Sequence, residues 1–217
     1  MRLTALAEFA GTAALLLVVT GSGIMGERLA GGNDAVALLG NSIATGAGLF
    51  VLISVLGPIS GAHFNPLVTA YFWVTRSIKH RTAVAFIAAQ FSGAWIGVLV
   101  AHLLFDLSLL QVSSKERTGV GLLFSEAASV VILLSAITLS LRYAQHSVAM
   151  IVALTVTAGY WFTSSTFFAN PAVSIARSMT DTFVGIAPTG LPWFLAAQCF
   201  GFLAFVLFAR SVKPPSG

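Results

Sequence analysis

Two Asn-Pro pairs lie inside long apolar tracts, in Ser60-Gly-Ala-His63-Phe-Asn65-Pro66-Leu67-Val-Thr69 and in Phe168-Ala-Asn170-Pro171-Ala172-Val173. Asn is a strong helix N-cap, and Pro is favoured at the first helical position. An Asn-Pro at such a place therefore predicts a helix that starts inside an apolar layer. The asparagine oxygen would cap the new helix, leaving the amide NH2 free to donate hydrogen bonds into the space in front of it. Two carboxylates, Glu8 and Glu126, also interrupt apolar tracts, a costly placement that usually marks function. We read both as holding backbone donors of the segments around the Asn-Pro pairs, with His63 as a further anchor. Gln90 and Gln198 read as hydrogen-bonding groups between helices. The remaining chemistry is sparse. The other histidines (His80, His102, His146) are scattered and the single cysteine, Cys199, lies in an apolar segment. No spacing suggests a metal site, a cofactor or a nucleophile–base pair, so an enzyme is not expected.

The elements that must position these residues are membrane helices. Of 217 residues, 57% are hydrophobic and 8% charged, against about 25% charged in a soluble domain. The net charge of +4 comes without a basic run carrying interleaved aromatics, which argues against nucleic-acid binding. A first span is expected at residues 5–25, uncleaved, and a second at 35–56, ended by Gly57-Pro58. An irregular segment and a half-helix from Asn65 to near Arg76 follow. About 11 residues at 1.5 Å each cover ~16 Å, half of a ~30 Å hydrocarbon core. A third span runs from the basic loop Lys79-His80-Arg81 to residues 102–105. After the connector 106–118 come spans at 119–141, 147–165 and 190–209, with the second half-helix beginning at Asn170.

The order of marks repeats. Each half carries an early Glu, then an Asn-Pro, then Ala-Ala-Gln-x-x-Gly (Gln90 to Gly93, Gln198 to Gly201). With three spans per half, the two repeats, about 1–105 and 119–213, must be inverted across the bilayer within one domain spanning 1–217. Gly11, Gly93 and Gly201 read as close helix contacts. With both termini cytoplasmic, seven Lys and Arg fall inside against four outside (Arg28, Lys115, Arg117, Arg177), as the positive-inside rule asks of a multi-pass plasma-membrane protein.

The paired motifs, the early Glu residues and the Gln-x-x-Gly marks together resemble the Asn-Pro-Ala signature of the aquaporin/major intrinsic protein family. The resemblance implies six spans plus two half-helices, a homotetramer with one pore per subunit, and passage of small neutral solutes and water. Midplane residues would be Asn65, Pro66, Leu67, Asn170, Pro171 and Ala172, with Leu67 adding bulk where the family has Ala. Two half-helices aiming their positive ends at one point would repel cations and protons. The filter departs from the family. Val173 replaces the usual Arg, and the next cation, Arg177, lies one turn on; it either swings back toward the pore or snorkels to the interface, with the interface preferred. The second-span position falls on Thr45 and the loop position on Phe167. The fifth span offers either Ala158 or, with a shortened loop, the pair Gly159-Tyr160. Such a filter lacks a fixed cation, which lowers the desolvation penalty for less polar solutes. The expected function is a passive channel for glycerol-like polyols, arsenous acid or methylated arsenicals, with water. A water-selective channel, a non-transporting structural protein and a coupled carrier using Glu8 or Glu126 are the alternatives.

Overall fold

A computed structural model describes residues 1–211. Its helices are α1 (Arg2–Leu29), α2 (Asp34–Ser60), α3 (Pro66–Val74), α4 (His80–Leu104), α5 (Val120–Tyr143), α6 (Val148–Phe162), α7 (Pro171–Arg177) and α8 (Leu191–Ser211). The side chain of Arg210, and Lys213 with Pro214-Pro215, lie outside the described residues. Helices α1, α2, α4, α5 and α8 are each long and apolar enough to cross a bilayer. The sixth crossing, α6, has 15 residues and is preceded by a 3-10 turn at Gln145–Ser147, a combined rise of about 28 Å. Helices α3 and α7 are the two short re-entrant ones, nine and seven residues long.

The expected order of elements is present, with one boundary to correct. Gly57-Pro58 does not end α2, which continues through Pro58 to Ser60. The helix survives because its last turn is still closed by the Gly61 N–H on the Gly57 carbonyl at 2.9 Å, and Gly61 then stops it in the left-handed conformation, φ 91°.

The two halves pack alike. In the first, α1 packs against α2 and α4; in the second, α5 packs against α6 and α8; α2 and α6 join the halves. The tightest seams fall at matching glycines. A Cβ on Gly93 of α4 would stand 2.4 Å from the carbonyl of Phe9, and one on Gly201 of α8 would stand 2.3 Å from that of Ala127. Phe9 and Ala127 each follow the glutamate of their half, so each glycine lets a helix close on the turn that carries the carboxylate. Gly93→Ala and Gly201→Ala should therefore each lower stability by about 1–3 kcal/mol through overpacking, read as similar drops in thermal midpoint in detergent. Gly11, expected at a helix seam, instead faces the ring of Phe64, 2.0 Å from where its Cβ would be.

Candidate channel and its lining

Each half-helix begins as the Asn-Pro pairs predict. Asn65 Oδ1 accepts from the Leu67 N–H at 2.9 Å, and Asn170 Oδ1 accepts from Ala172 and Val173 at 3.0 and 3.3 Å. The amides are not wholly free, however. Asn65 Nδ2 donates to the carbonyl of Ala169, and Asn170 Nδ2 donates to the carbonyl of Phe64, both at 2.8 Å. Each asparagine is thus tied to the residue preceding the other. An amide carries two N–H groups, so one donor per asparagine remains for the cavity that both side chains line.

The loops before the asparagines share an unusual backbone. Positive φ recurs at the fourth, third and first residues upstream: Gly61, Ala62 and Phe64 in one half, Thr166, Phe167 and Ala169 in the other. Five of these six are not glycine, and a non-glycine left-handed residue costs of order 1–3 kcal/mol. Buried glutamates hold this geometry. Glu8 accepts from Ser60 Oγ (2.6 Å), the His63 N–H (2.9 Å), the Phe64 N–H (2.7 Å) and Gln90 Nε2 (2.8 Å). Glu126 accepts from the Ala169 N–H and from Gln198 Nε2 at 2.7 Å. Both carboxylates are fully buried and neither lines the cavity.

The glutamines have a second partner that completes the symmetry. Gln90 Nε2 also donates to Thr69 Oγ1 and Gln198 Nε2 to Ser174 Oγ, at 2.8 and 2.7 Å. Thr69 and Ser174 each sit four residues after their asparagine, so Asn-Pro-x-x-Ser/Thr is a further mark repeated in both halves. His63 reaches the same half-helix: its Nδ1 lies 3.0 Å from Thr69 Oγ1, and its ring stacks on Phe72 at 4.7 Å.

The cavity has a volume of about 290 Å³ and runs from Leu141 and Val148 past both asparagines to Arg177. One wall is apolar, built by Leu133, Ile137, Val152 and Val156; the facing side carries Gly61 to Asn65 and Phe167 to Asn170. Of the midplane residues expected, Asn65 and Asn170 face the cavity, whereas Pro66, Leu67, Pro171 and Ala172 sit behind it. Leu67 does not narrow it, because the first turn of α3 presents Val68 there and packs Leu67 into the core.

At the other end Thr45, Tyr160, Phe167, Val173 and Arg177 all line the cavity. Ala158 points outward and is exposed, and Gly159 lies behind the ring of Phe167, 2.3 Å from where its Cβ would be. Tyr160 is therefore the α6 residue at this position, its hydroxyl 3.3 Å from Thr45 Oγ1. Arg177 does not snorkel. It is 2% exposed, its Nε donates to the carbonyl of Val184, and its Cζ stands 3.5 Å from the Phe168 ring centroid. The reason is the segment 178–190, which folds back over α7 and is itself capped by the connector.

That cap is built from backbone bonds and charge. Ser113 N–H donates to the Ser178 carbonyl at 2.9 Å and Ala187 N–H to the Lys115 carbonyl at 2.8 Å. Lys115 Nζ donates to Phe183 O (3.0 Å) and Arg117 Nε to Gly185 O (2.8 Å). Three successive carbonyls, 183 to 185, thus each take one cation. Burial lowers the pKa of Arg117 to about 10 and also lowers that of Lys115. Asp181 is pulled below the usual carboxylate range by the backbone N–H and hydroxyl of Ser114. A depressed folded pKa makes this contribution present above the ordinary carboxylate value and lost as pH falls through the lower one. Protection of the Ser114 amide, corrected for intrinsic exchange, should accordingly fall below about pH 4, and Asp181→Asn should remove that pH dependence.

Comparison with known proteins agrees with this architecture. The family model described as major intrinsic protein matches residues 2–145. The chain is 45% identical over 210 residues to aquaglyceroporin AqpS of Rhizobium meliloti (strain 1021), covering 97% of this chain and 90% of that one. It is 30% identical over 156 residues to glycerol uptake facilitator protein-like 6 of Lactiplantibacillus plantarum, covering 70% and 68%. The fold matches the X-ray structure of the aquaglyceroporin from Plasmodium falciparum with a TM-score of 0.73 at 21% identity, over 97% and 96% of the two chains. An inverted helical repeat around two reciprocally bonded asparagines, with a family match over most of the chain, makes this protein a member of the major intrinsic protein family.

Proposed function

We propose that the chain is a passive channel for small uncharged solutes of the glycerol class, with water following, and that it excludes ions and protons. The observation that carries this reading is the single cavity passing both asparagines, with one free N–H on each and an apolar wall opposite. A polyol can turn its hydroxyls to the donors and its carbons to the wall. The positive ends of α3 and α7 oppose cations at the same point. At the end lined by Thr45, Tyr160, Phe167, Val173 and Arg177, valine stands where the family resemblance expects an arginine and the cation sits one turn further along α7, an arrangement that we read as favouring glycerol over a water-only filter. The names of the two curated relatives above, an aquaglyceroporin and a glycerol uptake facilitator, point the same way.

Arsenous acid, neutral at pH 7 and polyol-like in shape, and methylated arsenicals extend the proposed substrate range by family resemblance. So do a homotetrameric assembly and a plasma-membrane location with both termini cytoplasmic, which makes the connector end of the cavity the outer mouth. Glu8 and Glu126 stand away from the cavity, each holding a loop N–H, which favours passive flow over a proton-coupled carrier. Stopped-flow light scattering on proteoliposomes tests the reading. Glycerol and arsenite should enter faster than into empty vesicles, with no dependence on a pH gradient. Fast water flux with solute entry at the empty-vesicle rate would replace it by a water-selective channel.

A further inference from the structure

The outer mouth carries more positive charge than a path for neutral solutes needs. Arg177 is buried and lines the cavity, yet only its Nε is bonded, to Val184. Its two terminal nitrogens have no hydrogen-bond partner among the described residues. Arg117 reaches the same place from the connector, its Cζ 5.1 Å from the Phe168 ring that Arg177 stacks on. Lys115 stands next to both, its Nζ 4.5 Å from the ring centroid of Phe183. Among the described residues no carboxylate forms an ion pair with any of the three. Of the acids nearby, Asp181 is engaged by Ser114, Glu27 by the Phe183 N–H and Glu116 by Thr189, while Glu126 takes Ala169 and Gln198 on Oε1 and has no hydrogen-bond partner for Oε2 among the described residues.

Buried guanidinium is normally paired, because desolvating it without a counter-charge is costly. Here the direct contacts are carbonyl dipoles, which hold each cation by one nitrogen, while the nearest carboxylates act only from a distance, leaving the fork of Arg177 open to the cavity. A guanidinium fork fits a planar carboxylate through two parallel N–H···O bonds. Phe168 fixes the plane of that fork from one side, so its geometry is set before any ligand arrives.

We propose that this mouth is an oxyanion site, taking a monocarboxylate of formate or acetate size on Arg177 with the field of Arg117 and Lys115 behind it. The placement at the outer mouth rests on the channel reading; the binding itself does not. The bound anion does not pass. Beyond Arg177 the apolar wall of Val173, Phe167 and Val156 faces only the neutral hydroxyls of Thr45 and Tyr160, too few donors to replace the hydration of an ion. A bound carboxylate therefore plugs the mouth, and external carboxylate competes with entering solute.

Saturation-transfer NMR of formate with the full chain in detergent reads the binding directly. Formate should bind saturably in the millimolar range and be displaced by acetate. Formamide, matched in size but uncharged, should bind at least about tenfold more weakly, the loss of a charge-assisted pair of bonds. Arg177→Gln should lose formate binding by a similar factor, and Arg177→Lys, which keeps the charge without the fork, should fall between. Formamide binding as tightly as formate to the wild-type protein would overturn the proposal even if every variant misfolded. So would an Arg177→Gln protein with unchanged thermal midpoint and unchanged formate affinity. In vesicles, outside formate should slow glycerol entry through the wild-type channel. Vesicles that bind formate but pass no solute would defeat the channel reading while leaving the anion site standing.

Discussion

Glu8→Ala is expected to abolish the first re-entrant loop as an ordered element, with loss of solute flux and a collapse of thermal stability. The carboxylate serves four donors, two of them backbone N–H groups at His63 and Phe64. Each buried donor stranded without a partner costs about 1–3 kcal/mol, so the variant loses on the order of 5 kcal/mol, a large share of a typical folding free energy. What remains to hold left-handed Ala62 and Phe64 is one bond each, from the Ala62 N–H to Ser60 Oγ and from Asn170 to the Phe64 carbonyl. Glu126→Ala should be milder, because that carboxylate serves two donors, the Ala169 N–H and Gln198. The ranking is the diagnostic part. Equal thermal midpoints for the two variants would mean that the glutamates act through bulk packing and not through the donors they hold. Glu8→Gln sharpens the comparison: an amide keeps one acceptor oxygen but turns an N–H toward groups that are themselves donors, so it should rescue little.

Val173→Arg is the second large effect. Val173 is 6% exposed and lines the cavity one helical turn before Arg177. An arginine there would add a long charged side chain to a constriction already shared by Phe167 and Tyr160. It would also face Arg177 at the spacing where like charges repel. Glycerol entry should drop by at least tenfold, about 1.4 kcal/mol on the barrier, while water, smaller and able to pass beside a guanidinium, is reduced much less. The measurement is the ratio of glycerol to water permeability in matched proteoliposomes. An unchanged ratio would place the solute path away from α7.

The architecture was readable in the chain because its signals are local and doubled. A helix start inside an apolar tract needs only Asn followed by Pro, and the same pair at matching places in two halves states the inverted repeat. The carboxylates were readable for a similar reason: a buried glutamate demands donors, and the irregular segments were the only ones without a partner. What the sequence hid is non-local. Ala62, Phe64, Phe167 and Ala169 carry no residue-type mark of left-handed backbone, since the strain is imposed by glutamates on other helices. The cross-bonds from each asparagine to the opposite loop depend on the distance between halves, which one-dimensional spacing does not hold. Arg177 reads as a surface cation because it follows a short helix. Its burial is decided by residues 178–190 and by a connector more than sixty positions upstream. The α6 position was ambiguous for want of a loop length, and the exposure of Ala158 beside the inward Tyr160 resolves it.

The reciprocal asparagine bonds also bear on how the protein is made. While the ribosome is still producing the second half, Asn65 has no Ala169 carbonyl to bind and the Phe64 carbonyl has no donor. An unmatched polar group at this depth is expensive in lipid, so the first half must either hold water there or wait in a looser arrangement. Closure comes late, in one event, when Asn170 emerges and both bonds form together. Until then the unmatched asparagines mark the half-made chain as incomplete at its centre.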